Sequence, residues 1–155
     1  MTVNPPAIAD HGTFTVRRTI SIAASPDKVW AAITEPEHVS RWFGRLTLTG
    51  STVGSAGSIA WPDQPPVPIR IEAIDPPRTI TYRWCNGSEP HRELDEATST
   101  VFTFTLVPAA GGTELTVEES GFEAALDPGV QLEEHRQGWD GELDKLVALL
   151  EGPDR

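Results

Sequence analysis

A single cysteine, Cys85, stands among the 155 residues. It has no partner for an internal disulfide, which excludes a disulfide-stapled scaffold and makes a reducing cytoplasm the expected setting. Long hydrophobic runs are missing as well. No stretch approaches the roughly 20 apolar residues that a membrane helix needs, so membrane insertion is not expected. Positive charge is scarce: 12 Lys and Arg stand against 23 Asp and Glu, for a net charge of −11. Such a chain repels polyanions, so nucleic acid is not an expected partner. The opening residues MTVNPPAIADHGT lack a basic region followed by an apolar stretch, so no secretory leader is expected. The sequon at Asn86 then reads as an ordinary turn.

Signatures of metal and cofactor chemistry are also lacking. His11, His38, His91, His135 and Cys85 show no metal-ligand spacing. The glycine-rich GSTVGSAG at 50–57 lacks the Gly-Lys-Ser/Thr of a phosphate loop. There is no G-x-S-x-G nucleophile elbow. No metal and no cofactor is expected, and nothing in the sequence forces a basic group onto the Cys85 thiol.

What is present is a chain of ordinary hydrophobic content, long enough for one core. Residues 1–11, interrupted by Pro5 and Pro6, are expected to form a flexible N-terminal arm, and 12–155 a single domain. TFTVRRTISI at 13–22 alternates, with Phe14, Val16, Ile20 and Ile22 on one face, a strand signal. Arg18 completes that face, and a structural ion pair or a position at the strand's rim is the expectation, since Arg is rarely buried alone. Ser25-Pro26-Asp27 supplies a cap, a fixed φ and a dipole-complementing carboxylate for a helix start. Thr34 with Glu37 has capping-box spacing for a second short helix, and Gly44 suits its end.

From 45 to 120 the pattern is strand and turn. RLTLTG, GSIAW, VPIRIEAI, RTITYRWC, STVFTFTLVP and TELTVEES read as short strands, mainly antiparallel by their connections. Ile80, Tyr82 and Trp84 share a face, as do Phe102, Phe104 and Leu106, with Leu115 and Val117 inward. A polar loop is expected at 86–97, its acidic run at 93–97 a solvated segment or a lid. Asp127 and Pro128 open a long final helix to about 151. Leu132, Trp139, Leu143, Leu146 and Leu150 fall on one stripe. Gly138 and Gly141 interrupt it: Gly138, at the stripe's edge, is expected to permit a close approach or a bend of the helix around the Trp139 indole, and Gly141 to face water. A long helix with one apolar stripe needs a sheet to lie on.

The order strand, two short helices, strands, long helix is that of the helix-grip fold. The blocks ISIAASPDKVWAAITEPEHVSRWFG, IEAIDPPRTITYRW, FTLVPAAGGTELTVEESGF and GWDGELDKLVALLE resemble the activator of heat-shock-protein-90 ATPase homologue family. That family lies within the birch-pollen-allergen and lipid-transfer, polyketide cyclase-like superfamily. The resemblance spans about 13–151. It implies an α+β fold: a curved antiparallel sheet of about six to seven strands around the C-terminal helix. It also implies a cavity between sheet and helix that takes a small hydrophobic or aromatic molecule.

Trp30, Trp42, Phe43 and Trp61 are candidates to line that cavity from the first half of the chain. Ile71, Tyr82, Trp84, Phe102 and Phe104 are candidates from the later strands, and His135 and Trp139 from the helix. The same aromatics at period two would also serve as plain core. His135 lies one turn before Trp139, and its ordinary pKa suits proton transfer near neutrality. Glu133 and Glu134 point elsewhere on the helix. Ligand binding without committed chemistry is the leading expectation. A cyclase- or hydrolase-like enzyme using His135 is one alternative, and a chaperone-cofactor or stress-response interaction module is another. A monomer or a homodimer is expected.

Overall fold

The computed structural model describes residues 4–85, 94, 99–125 and 127–152. The polar loop at 86–97, with its sequon, His91 and the acidic run, lies outside the described residues except for Leu94. Strands β1 (Ile8–Asp10) and β2 (Thr15–Ile22) lead into helices α1 (Pro26–Thr34) and α2 (Pro36–Val39). Six strands follow: β3 (Arg45–Leu48), β4 (Ala56–Ala60), β5 (Val67–Asp75), β6 (Thr79–Cys85), β7 (Ser99–Ala109) and β8 (Gly112–Ser120). A 3-10 turn at Phe122–Ala124 precedes the helix α3 (Pro128–Glu151).

The strands form one eight-stranded sheet in the order β1-β2-β8-β7-β6-β5-β4-β3, with every pairing antiparallel. Strands β3 to β8 are a meander. The chain closes it by returning to its start, where β8 lies against β2 from Thr15↔Ser120 to Ile22↔Thr113. Alternation decides which side chains face inward. In β8 Thr113, Leu115, Val117 and Glu119 are buried, and in β2 Val16, Arg18, Ile20 and Ile22 are buried. Helix α3 spans 24 residues, about 36 Å, and buries Leu132, Trp139, Leu143 and Leu146. Leu150 is partly buried at its end. Among the described residues no helix is long and apolar enough to cross a membrane.

Several local expectations give way to tertiary contacts. The sheet has eight strands rather than six to seven because the supposed arm contributes β1, paired to β2 from Ile8↔Arg17 to Asp10↔Thr15. Ala7 N–H donates to Asp140 Oδ1 at 2.6 Å, which ties the segment to α3. Phe14 does not extend the β2 face: its φ of 55° places it in the left-handed region, so the strand begins at Thr15. Helix α1 is capped as its sequence predicts, with Ser25 Oγ accepting from Lys28 N–H. The Thr34–Glu37 capping box does not form. Thr34 Oγ1 instead donates back to Trp30 C=O at 2.7 Å, and α2 begins after Glu35 with no side-chain cap. Asp127 likewise provides no side-chain cap to α3.

Of the two helix glycines, Gly138 differs from expectation, while Gly141 meets open space as expected. A Cβ at Gly138 or Gly141 would meet nothing within 4 Å, so neither permits a close approach. Arg18 is resolved clearly. It is buried at 4 % exposure, and its guanidinium donates to Pro5 C=O at 2.8 Å, Asp140 C=O at 3.0 Å and Asp144 Oδ1 at 2.9 Å. This is a structural ion pair, and it binds β2, the N-terminal segment and α3 together.

Candidate functional site

An aromatic seam fills the space between the sheet and α3. Its centre is Phe43, at the end of the short-helix segment. The Phe43 ring lies 5.1 Å from Trp42, 5.7 Å from Trp61, 5.6 Å from Trp84, 6.0 Å from Phe102 and 5.4 Å from Trp139. Tyr82 and Phe104 extend the seam through Phe102, at 5.3 and 5.6 Å. These spacings suit offset and edge-to-face contacts. One end of the seam is closed and polar; the other is open.

At the closed end lies Glu119, with 0 % exposure. A carboxylate removed from water must be fully paired to remain charged, and this one is. Oε1 accepts from His135 Nδ1 at 2.8 Å and from Trp139 Nε1 at 2.9 Å. Oε2 accepts from Trp84 Nε1 at 2.8 Å and from Thr100 Oγ1 at 2.6 Å. Burial alone would raise the Glu119 pKa. The His135 charge and the hydrogen bonds from His135, Thr100 and Trp84 outweigh it and hold the carboxyl below its ordinary range. His135 mirrors this. Burial pulls the imidazolium down, but Glu119, by charge and hydrogen bond, and then Glu134 hold its pKa above the usual value. Each partner therefore favours the charged form of the other. Only 17 % of the His135 side chain is exposed. Its ring edges against Trp84 and Phe122, and Nε2 has no hydrogen-bond partner among the described residues.

At the open end is a pocket of about 590 Å³. Trp42, Phe43, Gly44 and Trp61 wall it from the sheet side, and Lys145 of α3 closes it from the other. Gly44 has no room for a side chain there. A Cβ would sit 2.9 Å from Ile59 Cγ1, 3.0 Å from Trp61 Cε2 and 3.2 Å from Ala60 C=O. Both indole N–H groups are committed to the fold: Trp61 Nε1 donates to Phe43 C=O at 2.8 Å, and Trp42 Nε1 to Ala32 C=O at 2.7 Å. Arg41 and Arg45 also line the pocket.

Residues 23–151 match the family model described as Activator of Hsp90 ATPase homolog 1-like protein. The chain belongs to this family. Among solved structures, this chain is similar to protein MLL2253 from Mesorhizobium loti. That protein is 29 % identical over 91 % of this chain and 99 % of its own, with a TM-score of 0.75. DynU16, from the dynemicin biosynthetic locus, is 27 % identical over 89 % of this chain and 47 % of its own, with a TM-score of 0.71. This chain thus spans about half of DynU16. The Aha1 dimer from Colwellia psychrerythraea, at 20 % identity over 89 % of this chain and 96 % of its own, has a TM-score of 0.67 and shares the fold. No curated protein matches.

Within this Activator of Hsp90 ATPase homolog 1-like chain, the eleven predicted lining residues separate into three groups. Trp42, Phe43 and Trp61 line the pocket. Tyr82, Trp84, Phe102, Phe104, His135 and Trp139 pack behind Phe43 and around Glu119. Ile71 belongs to the core and Trp30, partly buried, packs against it, both away from the seam's ring contacts. The Tyr82 hydroxyl, a candidate polar group, donates to Ile33 C=O at 2.7 Å, and burial pushes its pKa well up. Four polar residues escaped the sequence reading: Glu119, Arg41, Arg45 and Lys145. Glu119 had a signal, two residues beyond inward-facing Val117. So did the arginines, which bracket Trp42-Phe43-Gly44.

Proposed function

We propose that this protein binds a small hydrophobic or aromatic molecule, admitted at the Trp42–Phe43–Trp61 pocket. The observation that carries this reading is the pocket itself. Its 590 Å³ falls within the range of small-molecule sites, and its walls combine the aromatic side chains of Trp42, Phe43 and Trp61 with a few polar groups. Phe43 is both pocket wall and seam centre, so its displacement would open a path toward Trp84, Phe102 and Trp139. Membership of the Activator of Hsp90 ATPase homolog 1-like family and likeness to a protein of a biosynthetic locus support a small-molecule role.

The test is a titration with hydrophobic dyes, fatty acids and aromatic polyketides, read by tryptophan fluorescence and thermal shift. Saturable binding that Trp61→Ala weakens is the expected result. No saturable binder across the panel, with no thermal shift, overturns the reading.

An enzymatic reading draws on the His135–Glu119 pair. A carboxylate on Nδ1 fixes the imidazole and leaves Nε2 as the working nitrogen. Because Glu119 raises the His135 pKa, it favours the protonated form, in which that nitrogen would serve as an acid. Turnover of a bound ligand, lost in His135→Gln while binding persists, is its signature; unchanged turnover in that variant rejects it.

A further inference from the structure

The pocket's polar chemistry is one-sided. Arg41, Arg45 and Lys145 all line it, three of the twelve Lys and Arg in a chain of net charge −11. Lys145 is already engaged, with Nζ 2.7 Å from Glu142 Oε2. Arg41 and Arg45 are exposed, and neither makes an ion pair or side-chain hydrogen bond among the described residues. The neutral donors nearby are spent. Trp61 and Trp42 donate their N–H groups to backbone carbonyls, and Ser40 Oγ donates to Pro36 C=O at 2.6 Å while accepting from Leu46 N–H. What the pocket offers a ligand is therefore aromatic surface and two arginines without a side-chain partner among the described residues.

A guanidinium matches a carboxylate with two parallel N–H···O bonds, and such charge-assisted bonds are about twice as strong as neutral ones. Resting on the ligand-binding reading above, we infer that the pocket selects an aromatic or apolar acid: a flat hydrophobic body against Trp61 and Phe43, with its carboxylate at Arg41 and Arg45. The arginines contribute a local positive field against the chain's overall acidity. They exclude amines and favour acids over alcohols of the same shape.

Calorimetry with 2-naphthoate, 2-naphthylmethanol and 2-naphthylmethylamine tests this at low salt. Naphthoate should bind about tenfold or more tightly than the alcohol, the amine should bind weakest, and added salt should narrow the gap. In R41Q/R45Q the acid should fall to the alcohol's affinity while the alcohol is unchanged. Both positions are exposed, so the variant should unfold at the wild-type temperature, which is measured alongside. Equal binding of acid and alcohol overturns the inference and leaves the ligand reading intact. An acid preference that survives in R41Q/R45Q also overturns it. Binding of none of the three probes overturns the inference, while the ligand reading is decided by the wider panel of dyes, fatty acids and polyketides.

Discussion

At one end of the aromatic seam Glu119 is wholly buried and each of its oxygens accepts two hydrogen bonds. At the other, Arg41 and Arg45 stand exposed beside a concave apolar wall with no ion pair among the described residues. The same seam joins them, since Phe43 touches Trp61 on one side and Trp84 and Trp139 on the other. The difference is instructive. A charge whose every lone pair is satisfied inside the protein has little left to offer a ligand, and its work is to fix the side chains around it. Charges left unpaired next to a hollow are available to something outside the chain.

Removing the buried member should do the most damage. Glu119→Ala would strand the Trp139 indole N–H and the Thr100 hydroxyl, leave Trp84 Nε1 only its 3.0 Å bond to Thr100 Oγ1, and take the partner from His135 Nδ1. A loss of about 3–5 kcal/mol in urea unfolding is expected; a loss under about 1 kcal/mol would sink the claim that this network organises the core. Gly44→Ala comes next. Its Cβ would press on Ile59, Trp61 and Ala60 C=O, at about 1–3 kcal/mol, and should shift Trp61 emission. Unchanged stability and emission would mean that the pocket wall yields freely.

The pair at the closed end also sets a pH profile. His135 has its pKa raised by folding, so its contribution is complete below the unfolded value of about 6.5 and fades as pH rises through the folded value. Glu119 has its pKa lowered, so its contribution is complete above about 4.3 and fades as pH falls. Stability should therefore peak between these limits and decline on the alkaline side. His135→Gln should flatten that alkaline decline, and an unchanged profile would assign it to other groups.

Helix α3 repeats the comparison across its own two faces. Inside, Trp139 and Leu143 are packed; outside, Gly138 and Gly141 meet open space. Each Gly→Ala change should raise stability by a few tenths to about 1 kcal/mol, and a measurable loss at either site would reveal an unseen contact. Smallest of all, R41Q/R45Q should leave stability within about 0.5 kcal/mol of wild type, in contrast to Glu119→Ala at the other end.

Local periodicity carried most of the architecture. Strand β8 alternates along its whole length, β6 over 79–84 and β7 over 100–106, and α3 has one stripe, so their inward faces could be read directly. Strand β1 could not, because Ile8-Ala9-Asp10 is too short to show a period and is held by the remote groups Arg17, Val16 and Asp140. Glu119 was half legible. Alternation with Val117 places it inward, yet its burial depends on donors at 84, 100, 135 and 139, which no local pattern assembles. Gly138 misled for the opposite reason: its position at the stripe's edge suggested crowding where no neighbour approaches.

The pairing of β2 with β8 has a consequence for how the chain comes to be folded. Thr15 meets Ser120, so the meander from β3 to β7 can zip up by neighbouring hairpins while β2, paired only with the short β1, still lacks β8. During synthesis Val16, Ile20 and Ile22 must remain uncovered until β8 has emerged, and Arg18 must wait longer still for Asp140 and Asp144 on α3. Closure of so long a loop late in the process favours slow folding and an early species with an open, sticky edge. The last quarter of the polypeptide thus serves as the latch that seals the first.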